Sequence, residues 1–269
     1  MKNLIIIPAR YGSTRLPGKP LMKIAGKTML QRVYEIAKKA SEESNCEVIV
    51  ATENEEIKNY AESIGAKCVM TSESCKTGTD RAAEVLTKID YKPDFVINLQ
   101  GDAPLTPPLF IKAMLDEVEK NSSIDVITPV IQLSWAELDK LRESKKTTPF
   151  SGTTAIIAPN NDAIWFSKNI IPAIRKEEKY RGGDKFSPIH RHIGLYGYSY
   201  NMLKKYATIE ESYYEKFEGL EQLRFIENGY KVRIVKVSYE GRESTSGVDT
   251  LEDIKRTEAF IKKYGEIIS

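Results

Sequence analysis

The chain has 269 residues, of which 41% are hydrophobic and 29% charged, with a net charge of +2. That length suits one large domain or a core with an added lobe. The near-neutral charge excludes the global positive field that draws a protein onto nucleic acid or an anionic membrane. No run approaches the roughly 18 apolar residues of a bilayer span, and the run after Lys2 meets Pro8 too soon for a signal-peptide core. The expectation is a cytoplasmic protein without membrane insertion. Cys46, Cys68 and Cys75 lack metal-ligand spacing and fit free thiols in a reducing compartment.

Residues 4–7 read as a buried strand that stops abruptly. The loop after it, up to Leu21, holds Gly12, Gly18, Pro17 and Pro20 together with three cations, Arg10, Arg15 and Lys19. Ligands of open α/β sheets bind beyond the carboxyl ends of strands. A loop there that combines backbone N–H groups with cations suits a polyphosphate. It is not a Walker A loop, because Pro20 stands where Ser or Thr must follow the lysine, and it is not G-x-G-x-x-G.

Strand and helix signals then alternate: a helix over 28–39, a strand over 47–51, a helix over 54–64 ending at Gly65, and a strand over 67–70. A helix over 79–89 and a strand over 95–99 complete the first half. Continuous apolar strands between amphipathic helices imply a Rossmann-like α/β architecture, mostly parallel, with helices on both faces. Beyond it, strands are expected over 125–132, 153–158, 163–166 and 193–200, and loops over 147–151 and 176–187. A helix over 215–227 stopped by Gly229, a strand over 231–237 and a closing helix over 250–263 follow. Thr250 is expected as the N-cap of that last helix, with Asp253 at the capping-box position. The expected organisation is a core of 1–123 and 203–269 with an inserted lobe, 124–202, for a second substrate and a subunit contact.

Asp102 follows Gly101 at the end of the 95–99 strand, where the glycine permits a sharp turn toward a crevice. Mg²⁺ is commonly held by one or two carboxylates with phosphates and water, so Asp102 is a candidate ligand, although Asp in a surface turn is common. Asp249 precedes a helix start and, taken alone, reads first as a cap or a favourable charge near the helix dipole. In Lys76-Thr77-Gly78-Thr79-Asp80-Arg81, free N–H groups at a helix start could serve a base or phosphate, and Thr79 could be a plain N-cap.

Taken in order, these segments resemble the 3-deoxy-manno-octulosonate (Kdo) cytidylyltransferases, a family of sugar nucleotidyltransferases. The carriers are Ile7-Pro8-Ala9-Arg10-Tyr11-Gly12-Ser13-Thr14-Arg15-Leu16-Pro17-Gly18-Lys19-Pro20-Leu21, Thr77-Gly78-Thr79-Asp80-Arg81, Gln100-Gly101-Asp102, His192-Ile193-Gly194-Leu195-Tyr196-Gly197-Tyr198, Leu220-Glu221-Gln222-Leu223-Arg224 and Gly247-Val248-Asp249-Thr250. The resemblance implies a Mg²⁺-dependent homodimer that transfers CMP from CTP to an ulosonic acid for lipopolysaccharide or capsule synthesis, releasing pyrophosphate. It implies that Arg10, Arg15 and Lys19 hold the triphosphate. Pro8, Ala9, Gly78 and Thr79 match positions near cytosine and ribose, and Gly12, Ser13 and Gln100 are counted with them. Asp102 and Asp249 match the metal pair. Gln100, His192, Tyr196, Glu221 and Gln222 match the acceptor site.

Three departures cluster on the acceptor side. Ala103 follows Gln-Gly-Asp, where the family carries Glu or Gln. Ser151-Gly152-Thr153-Thr154-Ala155 replaces Asn-x-Val-Lys-Val. Lys168 replaces the arginine expected to grip the acid's carboxylate. Lysine offers a point charge where arginine offers a bidentate fork, so the nucleotide is more firmly indicated than the acid. The rival readings are a nucleotidyltransferase with another acceptor, such as a sugar phosphate or phosphonate, and a non-catalytic nucleotide binder.

Overall fold

The strand that begins the chain is buried on both sides. In β1 (Asn3–Pro8), Leu4, Ile5, Ile6 and Ile7 have no exposed surface although alternate side chains point to opposite faces, so both faces are covered. The computed structural model describes residues 2–12, 16–44, 46–244 and 247–268. After β1 come a 3₁₀ turn (Lys19–Leu21), β2 (Lys23–Ile24), β3 (Lys27–Thr28), α1 (Met29–Ser44), β4 (Cys46–Thr52), α2 (Glu55–Ser63), β5 (Lys67–Met70), α3 (Gly78–Val85), β6 (Phe95–Leu99) and α4 (Pro108–Lys120). Next are β7 (Val126–Ser134), α5 (Trp135–Thr147), β8 (Thr154–Ile157), β9 (Ala163–Ser167), α6 (Glu177–Arg181) and β10 (Phe186–His192). The chain closes with β11 (Leu195–Ser199), α7 (Tyr200–Tyr206), α8 (Tyr213–Glu218), α9 (Gln222–Glu227), β12 (Val232–Lys236) and α10 (Leu251–Tyr264).

The chain divides into two compact units. The first, 1–122 with 195–208 and 239–269, carries strands in the order β5-β4-β1-β6-β11. The β1, β4, β5 and β6 ladders are parallel and β11 runs antiparallel to β6, the mostly parallel α/β sheet expected. From β1 the chain first builds outward through β4 and β5, then returns to place β6 on the other side of β1. That reversal opens a crevice at the carboxyl ends of β1 and β6.

The second unit, 123–194 with 209–238, has β7 between β12, parallel, and β10, antiparallel, with β8 and β9 beyond β10. Segment 209–238, expected in the core, groups with this unit because β12 runs parallel to β7, and 195–202, expected in the lobe, groups with the first unit because β11 pairs with β6.

Several local expectations are corrected. The N-cap of α3 is Thr77, not Thr79: the Thr77 hydroxyl accepts from the Asp80 N–H and the Asp80 carboxylate accepts from the Thr77 N–H, each at 3.0 Å. The helix expected over 215–227 is two, broken at Gly219 (φ +60°). Arg224 staples them by gripping buried Glu215 through Nη2 and Nε, at 2.6 and 2.8 Å. The loop expected over 176–187 contains α6 and the start of β10. Arg142 on α5 fastens α6 through Glu177, and Arg181 on α6 reaches back to Asp139 on α5; the two arginines hold the Glu177 pKa at about 2, and Arg181 lies 4.8 Å over the Trp135 ring. The strand expected over 193–200 is interrupted at Gly194, between β10 and β11. Helices α4, α5 and α7 have no counterpart among the sequence expectations, although Phe110, Ile111, Met114, Leu115 and Val118 bury one face of α4 at helical spacing. The capping box of Thr250 and Asp253 on α10 is as expected. The three cysteines are unpaired, and burial pushes each thiol up to about 11.

Where β1 and β6 end, their backbones nearly touch. A Cβ on Gly101 would stand 2.3 Å from the Pro8 carbonyl oxygen, so no larger residue fits without moving a strand. The substitution Gly101→Ala is expected to lower stability by about 1–3 kcal/mol or more, as overpacking does; a urea midpoint that falls at constant m checks it.

Candidate active site

The crevice in the first unit is a cavity of about 200 Å³ lined by Pro8, Ala9, Arg10, Lys19, Pro20, Lys76, Thr77, Gly78, Arg81, Gln100, Gly101, Asp102 and Asp249. Five stretches of chain converge there: the end of β1, the 3₁₀ turn, the start of α3, the end of β6 and Asp249, just before α10.

Lys19 is aimed by its turn. Gly18 takes the left-handed conformation (φ +67°) that starts the turn, so glycine is needed there. Gly12 is exposed with open space where a Cβ would stand, so the loop's requirement for glycine lies at Gly18. The Lys19 ammonium donates to Asp102 Oδ2 at 2.9 Å, Asp249 Oδ1 at 3.2 Å and the Val248 carbonyl at 2.9 Å. Two aspartates 147 positions apart in sequence (249 − 102) thus share one cation.

Packing brings Asp249 in. Val248 is fully buried among Leu16, Ile24, Met29 and Ile254, and its N–H donates to the Asp102 carbonyl at 2.8 Å. Burial of a valine contributes roughly 1.5–3 kcal/mol, enough to pin the neighbouring residue. Asp249 is not the helix cap, the alternative that its position left open: Thr250 caps α10, and Asp253 accepts the N–H groups of Asp249 and Thr250.

On the opposite wall, Gly78 lets the α3 N-terminus approach closely. A Cβ there would meet Gln100 Oε1 at 2.9 Å and Pro8 Cγ at 3.1 Å. Thr79 does not line the cavity; it is buried and accepts from the Asn98 amide at 3.3 Å, joining α3 to β6. Ser13 and Arg15 lie outside the described residues.

Two residues without a sequence assignment complete the frame. Glu53, just past β4, accepts the Tyr11 N–H at 2.7 Å and pairs with Arg81 at 2.8 Å. Arg81 lines the cavity while almost wholly buried. Together they tie the first residues of the cationic loop to α3. The one sequence signal was an acidic residue at a strand's carboxyl end, too common to single out.

The family described as "Cytidylyltransferase" matches residues 4–236. A 3-deoxy-manno-octulosonate cytidylyltransferase of Maricaulis maris (strain MCS10) is 41% identical over 268 residues, 100% of each chain. The chain belongs to this family. A relative of the same name from Francisella philomiragia is 38% identical across 94% of this chain and 95% of its own. A solved CMP:2-keto-3-deoxy-manno-octonic acid synthetase complexed with CTP is 33% identical, with a TM-score of 0.83, over 98% of this chain and 99% of that one.

The acceptor residues that the family resemblance implies are distributed over both units. Gln100 lines the first unit's cavity, and Tyr196, on β11, stacks on Tyr198 with ring centres 6.2 Å apart. In the second unit, Glu221 stands just before α9, and Gln222 opens it, buried. Lys168 follows β9, and His192 ends β10. The His192 Nε2 lies 2.8 Å from the Thr128 hydroxyl, and its ring meets Phe166 edge-on at 5.2 Å. Burial, and then the Lys168 ammonium, pull the His192 pKa from 6.5 down to about 3. His192 is therefore a neutral hydrogen-bonding ring at physiological pH.

A depressed histidine pKa makes its contribution to stability complete above about pH 6.5 and drains it as pH falls toward about 3. The chain has two histidines, and burial lowers His190 as well. In a ring ¹⁵N titration, His192 is expected to keep the shifts of a neutral imidazole from pH 8 to below pH 5; a midpoint near 6.5 contradicts this environment.

Proposed function

We propose that this cytidylyltransferase moves CMP from CTP to the anomeric hydroxyl of 3-deoxy-manno-octulosonate or a close analogue, with Mg²⁺ held at Asp102 and Asp249, releasing pyrophosphate. One observation carries the reading: two carboxylates converge on the Lys19 cation in the crevice between β1 and β6. One ammonium against two carboxylates leaves the group net negative, so the donor set fits a further hard cation. Among the described residues no group of three or more His, Cys, Asp or Glu side chains could hold a metal. An ion here must complete its shell with phosphate and water, which suits Mg²⁺.

The protein's part is positioning and charge. Arg10, Lys19 and the first N–H groups of α3 face the place of the phosphates. The sugar hydroxyl oxygen attacks the α-phosphorus in line. Its bond to phosphorus forms as the bond to the pyrophosphate oxygen breaks, and the hydroxyl proton passes to solvent. Charge that builds on the leaving group is met by Lys19 and Arg10. Bound at the aspartates, Mg²⁺ would screen the α-phosphate and acidify the attacking hydroxyl. Lys19 is the residue that must change partners, from carboxylate to phosphate, when nucleotide and ion arrive together.

On the acceptor side Lys168 bears on the identity of the acid. Burial lowers its pKa, which Glu218 opposes, so its charge is set by local surroundings and its grip on a carboxylate differs from an arginine's fork. A modified octulosonate is the second reading that this residue favours. The family relation extends the proposal to a homodimer of the 30.4 kDa chain, checked by light scattering at assay concentration.

Pyrophosphate release from CTP is the test, run with Kdo, 8-amino-Kdo and nonulosonic acids, with and without EDTA. Activity is expected with at least one acid and to vanish with chelation. Asp102→Asn is expected to cost about 10²–10³ in turnover, the scale of a lost electrostatic stabiliser; near-normal turnover of that variant in saturating Mg²⁺ would remove the metal role.

A further inference from the structure

The backbone around Lys168 is tied at both its N–H and its carbonyl. Its N–H donates to Glu218 Oε2 at 2.7 Å, and Glu218 Oε1 accepts from the Ser167 hydroxyl at 2.7 Å. Its carbonyl accepts from the Lys145 ammonium at 2.5 Å. One residue further on, the Thr154 hydroxyl donates to the Asn169 carbonyl at 2.7 Å and accepts the Ile171 N–H at 3.0 Å.

Lys145 does more than hold one carbonyl. It stands in the last turn of α5 and also donates to the carbonyls of Ser151 (2.6 Å), Gly152 (2.9 Å) and Pro149 (3.2 Å). An ammonium has three protons, so four acceptors share them. Three of these carbonyls lead into β8, and the fourth follows its partner strand β9. One cation thereby locks the start of β8 to the end of β9. It does so at a cost: Lys145 is half-buried, and the cations felt there are Lys168 and Arg191, with Glu218 opposing them. A lysine serving only to close a loop would be placed more cheaply away from like charges.

The arrangement answers a problem that the sequence posed. An arginine's planar fork carries its own direction, whereas a lysine is a flexible point charge that takes direction from its surroundings. Thr154 and Lys168 both stand at acceptor-side departures from the family pattern, and both belong to this backbone frame.

We infer that Lys145 is a positioning residue for the acid acceptor: by holding the Lys168 carbonyl and the lead-in to β8 it fixes where the Lys168 ammonium stands. This rests on the proposed function for its substrate, and on geometry alone for its effect on Lys168. Lys145 belongs to the binding of the acid and not to the handling of the nucleotide, whose cavity lies in the other unit.

The test compares Lys145→Met, Lys145→Arg, Lys168→Met and the double Met variant with wild type. Loss of a charge-assisted hydrogen-bond hub predicts at least a roughly tenfold rise in KM for the acid. KM for CTP is expected to stay within about twofold, and Lys145→Arg to recover part of the loss. In the Lys168→Met background, Lys145→Met is expected to add little, since coupled residues are non-additive. Unchanged acid KM, equal rises in both KM values, or additive losses overturn the inference. An arm independent of activity uses the His192 ring, which feels the Lys168 charge: its ¹⁵N shifts are expected to move in Lys145→Met or, if that variant does not fold, in Lys145→Arg. Shifts identical to wild type in a folded variant refute the positioning role. If wild type turns over no ulosonic acid, the proposed function falls, and the ring shifts still decide what Lys145 does.

Discussion

Everything in the nucleotide half of this molecule is organised around how closely β1 and β6 approach at their carboxyl ends. The Pro8 carbonyl oxygen occupies the space where a side chain on residue 101 would begin, so the two strands can end together only because Gly101 has none. Asp102 follows directly from that turn, and its carbonyl receives the Val248 N–H. Through this bond and the burial of Val248, the segment before α10 is drawn to the same rim, bringing Asp249 with it. Lys19 then has two carboxylates and a carbonyl within reach. An apolar side chain supplies the stability that holds the charged ones in register.

The crevice is asymmetric in a way that suits phosphoryl chemistry. Arg10, Lys76 and the α3 N-terminus provide positive charge and N–H groups, while Asp102 and Asp249 provide hard oxygens. Lys19 belongs to both sets, so the group is self-neutralising in part and open to exchange of partners. Glu53 keeps the cationic loop from drifting by tying Tyr11 to Arg81 on α3. Mutual positioning of charge, more than any single reactive side chain, is what the fold supplies.

In the second unit the same economy is reached by other means. The Lys168 backbone donates to Glu218 and accepts from Lys145, and His192 is kept uncharged by burial and by the Lys168 ammonium. A neutral ring beside a lysine ammonium leaves this part of the unit without a histidine titration near neutral pH. Charge is put to a different use where Arg142 pairs with Glu177 and Arg181 with Asp139, strapping α6 to α5 beside Trp135.

What the sequence determined by itself was set by local rules. Strands came from continuous apolar runs, the α10 cap from Thr250 and Asp253, and the cationic loop from its glycines, prolines and charges; each depends on residues a few positions apart. Pro8, Arg10, Lys19, Gly78 and Asp102 could be singled out because a recognisable motif surrounds each, and all five line one cavity. The break at Gly219 could not, because a glycine inside a helical pattern is ambiguous until Glu215 and Arg224 are seen to close across it. Nor could the sequence say whether Asp249 is held as a helix cap or drawn to the Lys19 ammonium, or single out Glu53 and Lys145, common residues in common settings. Only the tertiary structure decided these, since what distinguishes them is a partner far away in the chain: Val248 packing beside Leu16, Glu53 reaching Arg81, and one ammonium gathering carbonyls from two neighbouring strands.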